Sequence, residues 1–148
     1  YNALLGGTPS SKLFQNFREK ESLAYTVRSR YYRFKDIIII YAGIQKENYE
    51  KAKLVLENEI NKIKDGEISD EEFEASKKSI ISDLKEWNDS KIALSKMFIS
   101  NLFSLKNDSL TLEQMVDKFE KVTKQDIIDI ASKITIEKIY FLGGENNA

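Results

Sequence analysis

Two absences decide first which side chains can do chemistry here: the 148 residues hold no histidine and no cysteine. The common zinc sets, His₃, His₂Glu, Cys₄ and Cys₂His₂, cannot assemble from this chain. Nor can a Ser-His-Asp triad, a thiol nucleophile or a histidine general base. Carboxylates, lysines, tyrosines and arginines remain. Hydrolytic chemistry would need residues from outside this stretch, so the sequence assigns it no metal ligand and no catalytic residue that acts alone.

The arginines are the next signal. There are 19 lysines and only four arginines, and all four arginines lie between residues 18 and 33. In a chain that uses lysine for plain positive charge, arginine kept in one segment points to a use for its planar fork, which binds carboxylates, carbonyls or phosphates bidentately. Ordinary surface arginines on a strand are the alternative.

Arg18 follows Phe17 on a segment whose Phe14 and Phe17 face a core, which puts it at the edge of that face. Tyr25 shares strand parity with Leu23 and Val27. That parity predicts a ring buried on the helix side, with a hydroxyl in need of a partner. If the face opens onto a cleft, Arg18 and Tyr25 both point into it. Otherwise Arg18 pairs with Glu19 or Glu21 and Tyr25 is a core tyrosine. Arg28 and Arg30 share the other parity with Tyr32 and Phe34, either as a solvated face or as a stacking platform for single-stranded RNA. No RRM signature accompanies them.

The elements that must position these residues follow from spacing. With 41% hydrophobic residues and 23 basic against 24 acidic side chains, the chain reads as one domain over residues 1–148, with no global reason to bind nucleic acid or an acidic membrane. No apolar run approaches the ~18 residues of a membrane span. Tyr1 to Gly7 carries no signal-peptide pattern and reads as the last turn of a helix stopped by Gly-Gly, so a longer protein is expected. Thr8 and Pro9 suit an N-cap and first helical position, with helix to Lys20. Ser22 to Phe34 favours strand, residues 33–36 a turn, and Ile37 to Ile44 a strand buried on both faces. A helix from Glu47 to Lys64 ends at Asp65-Gly66. Ser69 with Glu72 forms a capping box, stapled by Ile68 and Phe73, and opens a helix carrying Phe73, Ile80, Leu84 and Trp87 inward. Lys91 to Leu105 is a further helix. Thr111 with Gln114 and Thr123 open the last two, and Ile136 to Leu142 reads as a strand. The order predicts an α+β fold: a mostly antiparallel sheet covered by helices on one face. Three strands are few for that many helices, so further strands are expected from upstream residues or another chain.

The stretch Leu5-Gly6-Gly7-Thr8-Pro9-Ser10-Ser11-Lys12-Leu13-Phe14-Gln15-Asn16-Phe17-Arg18-Glu19-Lys20-Glu21-Ser22-Leu23-Ala24-Tyr25 closely resembles the C-terminal domain of the pitrilysin/insulinase-like zinc peptidases, which include the mitochondrial processing peptidases. The family pattern there is approximately LGG-x-x-S-S-[RK]-L-F-x-x-[VL]-R-E-K-x-x-L-A-Y-[ST]. Phe17 stands at an aliphatic position and Lys12 where arginine is common. The likeness continues in Tyr41-Ala42-Gly43-Ile44, Glu47-Asn48-Tyr49, Ile68-Ser69-Asp70-Glu71-Glu72-Phe73-Glu74 and Val122-Thr123-Lys124-Gln125-Asp126-Ile127, so it covers essentially the whole chain.

What the resemblance implies is specific. Such peptidases close related α+β domains like a clam shell around an unfolded peptide, with zinc on an H-x-x-E-H helix of the N-terminal domain. The C-terminal domain supplies an Arg and a Tyr seven residues apart, matched here by Arg18 and Tyr25. Arg18 is then expected to bind substrate carbonyls, and Tyr25 to hydrogen-bond the carbonyl under attack. H-x-x-E-H is absent from this chain, so zinc is expected in an N-terminal domain or in a partner subunit of a two-subunit enzyme, a dimer of the small bacterial type. The implied setting is a bacterial cytoplasm, and the implied ligand a peptide. A relative that has lost catalysis and serves as a scaffold or maturation partner is the alternative.

Overall fold

Capping chemistry and apolar spacing set most element boundaries in the computed structural model, which describes residues 1–87, 89–102 and 110–143. The chain opens with a short helix, Ala3–Gly7, that buries Leu4 and Leu5. Gly6 lets the first strand approach. A Cβ there would meet the Ser29 backbone nitrogen at 3.0 Å and its Oγ at 2.9 Å. The next helix does not begin at Pro9. Thr8 is extended, and its hydroxyl points back to the Ala3 carbonyl (3.3 Å) and to Ser10 rather than forward as a cap. The helix proper, which we call the arginine helix, is Leu13–Lys20. Both helices are wound wide, in π geometry, a winding frequent at functional sites.

Ser22 turns the chain at a left-handed φ of +50°, and the buried Leu23 donates its N–H to the Phe17 carbonyl at 3.1 Å. Strands β1 (Ala24–Tyr32) and β2 (Ile37–Ile44) then form an antiparallel hairpin. Asp36 takes a left-handed φ of +48° in its turn, a conformation Asp tolerates. Val27 and Ser29 face the helices, and the opposite face of β1 is open. The apolar run of β2 was expected to be buried on both faces. None of its residues is fully buried, because helices cover one face only.

A single 3₁₀ turn, Lys46–Asn48, leads into α1 (Tyr49–Lys64), which buries Ala52, Ile60 and Ile63 and stops where Gly66 takes a φ of +79°. The Ser69/Glu72 capping box is reciprocal: each residue's N–H donates to the other's side chain, at 3.0 and 3.1 Å. It opens α2 (Asp70–Trp87). Leu84 faces in as expected, but Trp87, the terminal residue of the helix where packing is one-sided, is 42% exposed. Ser90 caps α3 (Lys91–Leu102); the expected end at Leu105 lies outside the described residues. The capping box at Thr111 opens α4 (Leu112–Lys121) and Thr123 caps α5 (Lys124–Ala131), both as expected; at Thr123 Asp126 completes a second box.

The closing strand is not formed. Residues 134–143 belong to no sheet, and Tyr140 and Leu142 are exposed. A strand exists only with a partner ladder, and this segment meets α1 instead, Phe141 lying 4.6 Å from the Tyr49 ring. The fold is α+β, with a two-stranded antiparallel sheet among the described residues. Its core joins Leu5, Leu13, Phe17, Leu23 and Val27 with Ile60, Ile63 and Ala131.

Candidate functional site

The arginine helix is fixed from three sides. Leu13 and Phe17 lie in the core. Lys12, 5% exposed, donates to both carboxylate oxygens of Glu72 at 3.0 Å, so the carboxylate that caps α2 also grips the start of this helix. Burial raises the Glu72 carboxyl, but the Ser69 N–H and the Lys12 ammonium outweigh it and hold the group below its ordinary value. On the third side Asn16 donates its side-chain amide to Glu59 at 2.7 Å. Glu59 is 2% exposed and also accepts from Lys62 at 2.6 Å, a bond that raises the Lys62 ammonium.

These anchors leave Arg18 at the surface. Its guanidinium stacks on the ring of Phe14, one turn earlier, with 4.7 Å to the centroid. The nearest carboxylate, Glu19, is a loose 3.7 Å away, and the side chain is 42% exposed. The rigid fork is thus held flat on an aromatic ring with donors to spare.

Tyr25 corrects the sequence reading. It was expected to be buried beside Leu23 and Val27, yet it is 75% exposed. The cause is a β-bulge: Ala24 pairs with Ile44 and Thr26 with Gly43, so Tyr25 is the extra residue between two partners. A bulge breaks the two-residue period and re-aims one side chain. Gln45 donates its amide to the Tyr25 oxygen at 3.2 Å. The phenol is the acceptor in that bond, so its own O–H is left to donate elsewhere. Among the described residues no hydrogen bond joins Arg18 to Tyr25; Arg18 lies near Glu19, and Tyr25 accepts from Gln45.

Beyond the bulge, Arg28, Arg30 and Tyr32 share the open face, as parity predicts. Arg28 lies over the ring of Tyr41, its cross-strand partner, at 5.4 Å, and Arg30 over Tyr32 at 5.2 Å. The Tyr32 and Tyr41 hydroxyls meet at 3.2 Å, which pushes the Tyr41 phenol up.

Zinc does not fit this chain. Histidine and cysteine are lacking, and among the described residues no group of three acidic side chains is placed to hold a metal. No described helix is long and apolar enough to cross a membrane. Sequence reasoning missed Glu59 and Gln45. Glu59 had a signal, since it lies on the α1 stripe of Ala52, Leu56, Ile60 and Ile63, where a lone carboxylate demands buried partners.

The chain is 33% identical over its full length to a probable inactive metalloprotease, YmfF, of Bacillus subtilis, and spans 34% of that protein. It is 29% identical over 88% of its length to an uncharacterized zinc protease of Rickettsia bellii, of which it spans 32%. It therefore covers about a third of the length of these relatives. A crystal structure of a conserved protein from Enterococcus faecalis superposes with a TM-score of 0.81 at 30% identity, over 88% of this chain and 31% of that one. A protease from Helicobacter pylori shares the fold, with a TM-score of 0.74 at 24% identity, over 89% of this chain and 32% of that one. The family model of the peptidase M16 inactive domain matches residues 1–80, more than half of the chain and all of the segment that carries Arg18 and Tyr25. This chain belongs to the peptidase M16 family, as its inactive domain.

Proposed function

We propose that this chain is the substrate-holding part of a zinc metallopeptidase: Arg18 binds carbonyls of an extended peptide, and Tyr25 hydrogen-bonds the carbonyl under attack. Zinc belongs to a complementary N-terminal domain or partner subunit, in a bacterial cytoplasm. The observation that carries this reading is the pair of unspent donors. Arg18 keeps a guanidinium half exposed on Phe14, and the Tyr25 O–H is not spent as a donor in its bond with Gln45, which donates to the phenol oxygen. Two donors on a rigid scaffold, aimed out of the core, suit carbonyl recognition and stabilisation of developing negative charge.

The test is Arg18→Ala and Tyr25→Phe in the full-length protein assembled with its zinc-bearing part. Each is expected to lower peptide turnover ~10²-fold, the scale of losing one oxyanion donor. Undiminished turnover in both variants overturns the clamp.

The name of the Bacillus subtilis relative, a probable inactive metalloprotease, favours a second reading: a scaffold or maturation partner that holds peptide without cutting it. An assembled protein that binds peptide but never cleaves it, with zinc supplied, decides for that reading.

A further inference from the structure

Three of the four arginines lie beyond the Arg18/Tyr25 pair, and two of them, Arg28 and Arg30, build a surface of their own. Both are exposed on the open face of β1, and each guanidinium lies over a tyrosine ring. Among the described residues neither has a carboxylate within ion-pair distance, whereas Lys12, Lys51, Lys62 and Lys124 all do. This is unusual company in a chain with 24 acidic side chains. The register explains it. The β2 residues opposite Arg28, Arg30 and Tyr32 are Tyr41, Ile39 and Ile37, all uncharged. Asp36, in the turn, is engaged by Tyr31 from the other parity, with 2.8 Å between hydroxyl and carboxylate.

An arginine stacked on a ring has lost little of its hydrogen-bonding capacity but much of its freedom, so it binds a carboxylate at reduced entropic cost. Arg28 and Arg30 are two residues apart on one strand, hence about 6.5–7 Å apart along it. An extended peptide presents its own alternate side chains at the same interval. We infer that this face is a subsite for peptide segments with acidic side chains at alternate positions. It selects among the peptides that the Arg18/Tyr25 clamp holds, and so rests on that reading. Two stacked cations in a chain of net charge −1 make a poor footprint for nucleic acid, which calls for a broad basic surface.

The experiment uses the full-length protein with zinc chelated, and two fluorescein-labelled decapeptides that differ only in a central Glu-Thr-Glu or Gln-Thr-Gln. Anisotropy titration at low salt is expected to show the acidic peptide binding about 10-fold tighter, a scale set by two partly exposed, bidentate pairs. Arg28→Gln/Arg30→Gln brings the two affinities within about twofold, while Arg28→Lys/Arg30→Lys keeps part of the preference. Far-UV circular dichroism checks that these surface variants stay folded. Equal affinities in the wild type, or a preference that survives the glutamine variant, overturn the subsite and leave the clamp standing. If neither peptide binds, the clamp falls with it. A single-stranded RNA decamer that binds more tightly than the acidic peptide also overturns the subsite and gives the face to nucleic acid.

Discussion

Lys12 is a cation held out of solvent by one carboxylate, sixty positions away in sequence. Such a pair is sensitive to losing either member, because the survivor stays buried and unpaired. Its electrostatics also give a pH dependence of known sign. The Glu72 carboxyl sits below its ordinary value of 4.5 in the folded chain. Its contribution to stability is therefore complete above that value and disappears as the pH falls through the folded one. Lys12→Met removes one of the groups that depress Glu72 and leaves the Ser69 N–H and hydroxyl. Measured by urea midpoint between pH 7 and pH 3.5, the variant is expected to lose less stability on acidification than the wild type. Equal losses would place the whole depression on Ser69, its N–H and its hydroxyl together. Glu59 is likewise a buried charge held by partners, Asn16 and Lys62.

At the scale of elements, the tight joint is between the first helix and β1. A methyl group on Gly6 would press on the backbone of Ser29, which cannot swing aside as a side-chain tip can. Gly6→Ala in the full-length protein is expected to cost about 1–3 kcal/mol, the usual cost of overpacking, read as a lower denaturant midpoint with unchanged slope. A loss below 0.5 kcal/mol would mean that the joint is looser than described. Elements written in local chemistry were legible in the sequence. Ser69 with Glu72 and Thr111 with Gln114 cap helices where their spacing says they must, because both partners lie within one turn. Elements that depend on distant partners were not. Tyr25 was misplaced because a bulge is set by the pairing of Ala24 and Thr26 with β2, not by the composition of β1. Residues 136–142 look like a strand in isolation but meet Tyr49 rather than a ladder. Arg18 stacks on Phe14, as their four-residue spacing allows.

Across the whole molecule, helices close over one side of the hairpin and leave the other to solvent, while α3 and residues 136–142 carry apolar side chains outward. The relatives are about three times as long as this chain. Inside the chain, one contact joins parts that the sequence keeps far apart. Because the same carboxylate closes the first turn of α2 and holds Lys12, loosening either end releases the other. The two regions are then expected to open together and to exchange their amide protons as one cooperative unit. Under the proposed function, a peptide that stills the arginine helix is expected to still the start of α2 as well. Hydrogen exchange in the full-length protein is expected to slow at residues 70–74 on peptide binding, and in Lys12→Met that distant protection is lost while protection near Arg18 remains. Under the proposed function, the capping carboxylate would then pass the occupancy of the clamp on to the first turn of α2, which Lys12 touches directly.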